Sequence, residues 1–184
     1  MKPITTLCRL SVLLLAFAGL SPQPAPANEP APTQAATVFE VNFMTGMIHH
    51  HLMGVEMAEI CLENAVTPEL EDLCHSIVEV QTAEAETMKN WLNDWYGIEY
   101  EDKPKPGHMK AMARLAGLTG AAFEIEFMEM MIRHHAAAIR EAGHCERRGY
   151  HEALKELCAS IAESQAEEIE LMESWLCDWY GECH

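Results

Sequence analysis

Two segments of the chain combine methionine thioethers with adjacent histidines. Residues 43–51 read FMTGMIHHH, and residues 127–135 read FMEMMIRHH. Thioethers are soft ligands and imidazoles are borderline ligands, and such a set selects copper(I) or silver(I) over magnesium, calcium or manganese. The two segments therefore predict a site for a soft metal ion, provided that the side chains converge.

Helical spacing divides the first of these segments into two faces. At about 100° per residue, the residues that fall on the apolar, core-facing stripe are Met44, Met47 and His51. A second line of ligands falls on the opposite side, which we expect to face solvent: His49, Met53 and Met57. His50 and His134 flank the core stripe and are placed to admit or relay an ion. A smaller cluster at helical spacing combines His108, Met109 and Met112.

The chain is a tandem duplication. The two segments are offset by 127 − 43 = 84 residues, and the same offset aligns Cys61 with Cys145 and Trp91 with Trp175. Apolar stripes, caps and prolines predict helices over about 37–64, 68–95, 119–148 and 150–179, with a short helix over 108–118 after a Pro-rich linker. The predicted fold class is all-α, with two helical hairpins forming a four-helix bundle.

The cysteine positions fix the register of each predicted hairpin. Six cysteines follow residue 27, an even number that is typical of disulfides in an oxidising compartment. Cys61 and Cys74 flank one predicted turn, and Cys145 and Cys158 flank the other. We predict that each pair forms a disulfide between antiparallel helices, worth about 3 kcal/mol.

The predicted disulfides place further side chains level with one another. In the first hairpin the register sets His51 beside Glu84 and Met47 beside Met88. In the second hairpin the equivalent pairs are His135 with Glu168 and Met131 with Met172. We expect the four methionines of these pairs to form one layer of the bundle, with Met44 and Met128 one turn away.

Two cysteines near the end of the chain have no counterpart in the first copy. Cys177 and Cys183 form either a third disulfide or a thiolate pair that binds metal together with His184. The oxidising compartment favours the disulfide. Near the two turns, His75, His144 and His151 are expected to be solvated, as are most of the glutamates.

The N-terminal region predicts export. Residues 1–27 have the charged start, apolar run and small-residue cleavage site of a signal peptide, and the run is too short for a membrane span. We expect a flexible leader over 28–36, a single domain over 37–184 and a periplasmic location, with no stable membrane insertion. The net charge of −17 disfavours nucleic acid or anionic lipid as a partner and suits cations.

The duplicated motifs resemble the CopM family of periplasmic copper-binding proteins. The resemblance rests on M-x-x-M-I-x-H-H at 44–51 and on the pattern I-x-x-x-Q-x-x-E-x-x-x-M-x-x-W-L at 77–92, each present twice. It implies a ferritin-like four-helix bundle that binds copper(I) and silver(I) and buffers copper. By position, the implied ligands are Met44, Met47, His51, Met88, Met128, Met131, His135 and Met172. Arg133 stands where the first copy has His49, so a site that uses this imidazole exists once.

The sequence favours a copper chaperone or buffer without catalysis, which passes its ion to a copper efflux or sensor protein. Two other functions stay open. One is an oxidase with a metal pair held between four bundle-core residues: His51, Glu84, His135 and Glu168. The other is a Met-rich, disulfide-clamped module that binds a helix or an exported peptide without metal.

Overall fold

The computed structural model describes residues 29–102 and 106–183 and contains five helices in these ranges. They are α1 (Gln34–Asn64), α2 (Pro68–Tyr96), α3 (Pro106–Ala116), α4 (Ala121–Arg148) and α5 (Glu152–Tyr180). No strand occurs in the described parts of the chain, so the all-α class is confirmed. The finer prediction of a ferritin-like four-helix bundle stays a prediction. The predicted signal peptide, residues 1–27, lies outside the described residues.

Local sequence explains where the helices begin and end. Thr33 caps α1 by accepting a hydrogen bond from the Ala36 amide at 3.2 Å, and Pro68 opens α2, where a missing N–H has no cost. Gly97 and Gly181 end α2 and α5 in the left-handed conformation, with φ of 63° and 75°. Glycine adopts such angles at no steric cost, and both copies stop at the same place in the repeat.

Disulfides join the helices of each hairpin, as predicted. Cys61 is bonded to Cys74 and Cys145 is bonded to Cys158. A third disulfide joins Cys177 to Cys183. Of the two alternatives for these cysteines, this is the one that an oxidising compartment favours. His184 lies outside the described residues.

The two hairpins meet along α1 and α4, which run antiparallel to each other. At one end of this contact, Glu40 on α1 reaches the start of α5. At the other end, Glu124 on α4 reaches the start of α2. The short helix α3 lies against both α1 and α4 and has no duplicate.

Buried carboxylates fasten both ends of the α1–α4 contact. Glu40 accepts hydrogen bonds from the amides of Tyr150 and His151, from the Tyr96 hydroxyl and from His151 Nδ1. The duplicate Glu124 accepts from the amides of Val66 and Thr67, and from the hydroxyls of Thr67 and Tyr180. Both carboxylates are fully buried, unlike the solvated glutamates that the sequence suggested.

His151 also differs from its predicted environment. It is 2% exposed, its ring stacks on Trp95 at 3.8 Å between centroids, and its Nε2 lies 2.7 Å from the Glu29 carbonyl. The segment predicted as a flexible leader is accordingly placed against the second hairpin. Helix α1 begins within this segment, at Gln34.

The core consists of two clusters rather than the single methionine layer expected. Met44, Met47 and Met88 pack with the Cys145–Cys158 disulfide, and the duplicates Met128, Met131 and Met172 pack with the Cys61–Cys74 disulfide. The separation follows from the antiparallel docking of α1 on α4, which brings the open end of each hairpin to the turn of the other. Among the described residues, no helix is long and apolar enough to cross a membrane.

Candidate metal centre

Two buried sets contain the ligands predicted from the resemblance. The first set consists of Met44, Met47, His51 and Met88. The second set consists of Met128, Met131, His135 and Met172. Every one of these side chains is at most 3% exposed. Each set thus joins three thioethers and one imidazole in a dry environment, and the two sets lie in separate parts of the core.

Each buried histidine lies beside a glutamate, as the register predicted, and of the two pairs only His135 and Glu168 are hydrogen-bonded. His51 Nε2 lies 2.9 Å from Glu84 Oε2, and His135 Nε2 lies 2.5 Å from Glu168 Oε2. The Nδ1 atom of each ring is buried and has no hydrogen-bond partner among the described residues. A neutral imidazole whose N–H points to a carboxylate carries its lone pair on the other nitrogen, which is the state that binds a metal.

These histidines and glutamates do not form the di-metal centre of the oxidase alternative. Within residues 29–102 and 106–183, no three or more His, Cys, Asp or Glu side chains lie close enough together to hold a metal ion. A site of three or more side-chain ligands in this part of the chain therefore needs methionine. This requirement favours the soft ions copper(I) and silver(I) over harder cations.

The rings of His50 and His134 stack where α1 crosses α4. Their centroids are 3.6 Å apart, and His134 Nε2 donates a hydrogen bond of 2.9 Å to the His50 carbonyl. Their Nδ1 atoms are buried, with no partner in the described chain. Burial, reinforced by the neighbouring histidines, lowers the pKa of His50 to about 4 and the pKa of His134 to about 2. Both imidazoles are thus neutral, and able to bind metal, at neutral and mildly acidic pH.

The close crossing depends on Gly54. A Cβ atom at this position would lie 2.3 Å from Gln81 Oε1 and 2.9 Å from His134 Cε1. Gly54 is buried, and its duplicate position is Ala138. The absence of a side chain here leaves space for the His134 ring beside α1.

Helix α3 encloses a cleft of about 860 Å³ against α1 and α4. Four histidines and four methionines line the cleft: His49, His50, Met53, Met57, His108, Met112, Met130 and His134. The lining includes no carboxylate, and its only charged side chain is Arg133. Arg133 points toward Glu129, with 3.5 Å between nitrogen and oxygen.

This cleft corrects the prediction that His49, Met53 and Met57 face open solvent. Met57 is 2% exposed, and Met53 and His49 are partly buried, because α3 covers this side of α1. His108 and Met112 were predicted only as a small separate cluster, and Met130 was not predicted as a ligand. The helical spacing of His108 and Met112 was the available signal, but it does not show where α3 docks.

His50 connects the cleft to the buried core. It lines the large cleft and also a smaller cavity of about 180 Å³ whose other walls include Met47 and Glu141. Met47 belongs to the first buried set of ligands. His50 therefore borders both the cleft and a cavity that reaches the first buried set.

Known proteins that are similar to this chain include copper-bound and silver-bound ones. A family model described as "Domain of unknown function (DUF305)" matches residues 40–176. The structure is similar to CopM in the Cu(I)-bound form, with 30% sequence identity and a TM-score of 0.69, covering 77% of this chain and 98% of CopM. CopM structures in Ag-bound and Cu(II)-bound forms match at the same identity, with TM-scores of 0.69 and 0.68.

A DUF305 fragment from Deinococcus radiodurans is 26% identical, with a TM-score of 0.68, and the match covers 77% of this chain and 97% of the fragment. No functionally curated protein matches the sequence. The family model spans most of the chain, and the CopM match covers nearly the whole of that protein. The chain therefore belongs to the DUF305 family and is a CopM-like member of it.

Proposed function

We propose that this protein binds copper(I), with silver(I) as a surrogate, and acts outside the cytoplasm as a copper buffer or chaperone without catalysis of its own. The observation that carries the proposal is the cleft between α1, α3 and α4, in which histidines and methionines converge without a carboxylate. Thioethers and neutral imidazoles in an apolar setting suit a soft, monovalent ion.

The buried sets supply a second location for copper(I). Each offers three thioethers and one imidazole whose Nδ1 has no partner among the described residues. His50 lines both the cleft and the cavity beside Met47, and in this proposal an ion passes from the cleft to the first set along this side chain. In this proposal the cleft exchanges copper with solvent, and the buried sets retain it.

The ligand chemistry suits reversible storage. A thioether binds copper(I) without losing a proton, and the cleft residues His50 and His134 remain neutral well below pH 7 because burial lowers the pKa of each. The cysteines form disulfides and provide no thiolate in the described chain. The affinity of the cleft for copper(I) should therefore change little under mildly acidic conditions.

The proposed location and partner rest on the sequence, and the proposed metal also rests on the relatives. A signal peptide and disulfides are typical of a periplasmic protein, and CopM, at 30% identity, is known in copper-bound and silver-bound forms. A protein that buffers copper there would deliver the ion to a copper efflux or sensor protein. The net charge of −17 attracts cations to the surface.

The proposal is tested by anaerobic competition of the mature protein with a coloured copper(I) chelator. We expect at least one ion bound more tightly than about micromolar, which corresponds to about 8 kcal/mol. Two quadruple Met→Leu variants then separate the two locations, since Leu preserves the volume of Met. The cleft variant replaces Met53, Met57, Met112 and Met130, and the core variant replaces Met47, Met88, Met131 and Met172.

Each variant should lose the copper(I) bound by its own set of thioethers. Circular dichroism and thermal unfolding of the metal-free variants confirm that the fold is intact. A folded cleft variant with wild-type stoichiometry and affinity would exclude the cleft, and the same result for the core variant would exclude the buried sets. Wild-type protein that fails to compete for copper(I) would contradict the proposed function itself.

A further inference from the structure

The mouth of the cleft contains a pair of histidines that the duplicated motif does not explain. His49 lies on α1 and His108 on α3. Both rings line a small cavity of about 40 Å³, together with Leu52, Met53, Glu56 and Asp102. A cavity of about 10–15 Å³ already holds one water molecule. The cavity therefore has room for an ion.

A carboxylate orients each of the two rings. His108 Nε2 lies 2.6 Å from Glu56 Oε2, and His49 Nδ1 lies 3.4 Å from Asp102 Oδ1. In a neutral imidazole the nitrogen that carries hydrogen donates to the carboxylate, so the lone pair is on the opposite nitrogen. Carboxylates commonly hold metal-binding histidines in this way.

The opposite nitrogens are buried and have no partner in the described residues. They are Nδ1 of His108 and Nε2 of His49. The His108 side chain is only 7% exposed and that of His49 is 19% exposed. A buried nitrogen without a hydrogen bond costs free energy unless a ligand satisfies it. Both histidines that carry such nitrogens line the same small cavity, which points to a ligand.

We propose that His49 and His108 form a copper(II) site that clamps α3 onto α1. Two neutral imidazoles suit copper(II), the divalent ion at the top of the stability order for such ligands, and the adjacent Met53 thioether disfavours harder ions. Glu56 and Asp102 orient the rings and add negative charge beside the cation. The site occurs once, since Arg133 replaces His49 in the second copy and α3 has no duplicate.

The site rests on the proposed copper function and extends it to the second oxidation state of copper. Its ligands are not the core methionines. The test is a titration of the mature protein with copper(II) against glycine, followed by electron paramagnetic resonance at one equivalent. We compare wild type with His49→Gln, His108→Gln and the double variant. His144→Gln is the matched control, because His144 is an exposed histidine on α4 that lines none of these cavities.

Each single substitution should weaken binding of the first copper(II) ion at least tenfold. The double variant should bind little more weakly than either single one, because either loss breaks the chelate. The control should match wild type. The wild-type spectrum should show coupling to two nitrogen nuclei, and copper(II) should slow amide hydrogen exchange in Pro106–Ala116 in wild type but not in His108→Gln.

Wild-type copper(II) affinity in either folded single variant would overturn the site. A wild-type spectrum with oxygen ligands alone would also overturn it, and this measurement does not depend on any variant folding. Copper(I) titration of the same variants separates the two proposals. Tight copper(I) binding together with unchanged copper(II) binding would reject only this site. Copper(II) binding that depends on both histidines, without copper(I) binding, would reject only the proposed function.

Discussion

His50 and His134 show how burial prepares an imidazole to bind metal. Their rings stack at 3.6 Å in the α1–α4 contact, and burial lowers the pKa of His50 to about 4 and of His134 to about 2. A protonated imidazole cannot bind copper, so these shifts extend the useful pH range. The same shifts have a consequence for the stability of the folded protein.

The metal-free protein should become less stable as the pH falls below 6.5, the ordinary histidine value. In that range the unfolded chain binds protons at both histidines and the folded chain does not, so acid favours unfolding, down to about pH 4 for His50. Urea unfolding at about pH 7.5 and about pH 5 measures the effect. The double variant His50→Gln/His134→Gln should show a smaller loss over this interval. If the variant lost as much stability as wild type, His50 and His134 would not be the cause of the pH dependence.

Glu40 and Glu124 should each be a large contributor to stability. Burial alone would raise the pKa of each carboxyl, but hydrogen bonds, first from Tyr96 to Glu40 and from Tyr180 to Glu124, outweigh burial and lower the pKa. Glu40→Gln and Glu124→Gln should each cost about 2–3 kcal/mol, because an amide cannot accept all of these bonds.

The control for these substitutions is Glu79→Gln, at an exposed position on α2. Urea unfolding above about pH 6 measures all three variants, since stability from a lowered carboxyl pKa is complete there and is lost only as the pH falls below about 4.5. The effects of Glu40→Gln and Glu124→Gln should add, because the residues act at opposite ends of the contact. A cost of less than about 0.5 kcal/mol for either would show that the buried carboxylate is dispensable.

The crossing of α1 and α4 depends on the lack of a side chain at Gly54. Gly54→Ala gains about 1 kcal/mol of helix propensity but forces the buried Gln81 and His134 to move. Overpacking of this kind costs about 1–3 kcal/mol, so we expect net destabilisation and a displaced His134 ring. Thermal unfolding and copper(I) titration measure both effects.

Gly46→Ala is the matched control, since it lies on the same helix and an added Cβ atom would contact nothing within 4 Å. This variant should be more stable than wild type by about 0.5–1 kcal/mol. Equal stability gains from both alanine substitutions would mean that the crossing tolerates a side chain at residue 54.

The pairing of helices within each hairpin was predictable from sequence, because a disulfide and the helical period together fix the register. That register placed His51 beside Glu84, and in the structure 2.9 Å separates His51 Nε2 from Glu84 Oε2. The docking of one hairpin on the other was not predictable. It depends on Glu40 and Glu124, which bond residues 110 and 58 positions away but resemble surface glutamates in the sequence.

Because contacts between distant segments were not predictable, some candidate ligands were predicted in the wrong place. An antiparallel docking of α1 on α4 separates Met47 and Met88 from Met131 and Met172, whereas the duplication suggested one layer. Met57 was expected to be exposed because its own helix places it opposite the core stripe. It is buried by α3, whose position depends on contacts between distant segments. Helical periodicity describes one helix at a time and cannot show such a neighbour.

In the molecule as a whole, three features act together on a cation. The net charge of −17 attracts it, a cleft of histidines and methionines receives it, and two dry methionine sets lie beyond. Attraction by the overall charge is screened by salt, whereas binding by thioethers is not. The rate of copper uptake should therefore fall with ionic strength, while the number of copper(I) ions bound at saturation stays the same. Stopped-flow mixing with copper(I) at low and high salt measures this difference.

The central claim is that soft metal ions bind in the cleft between α1, α3 and α4. A crystal structure of the mature protein with silver(I), phased by the anomalous signal of the metal, tests it most directly. We predict an anomalous peak within bonding distance of the thioether of Met53, Met57 or Met112. Silver found only at surface carboxylates, or absent from a cleft that remains open in the crystal, would contradict the account.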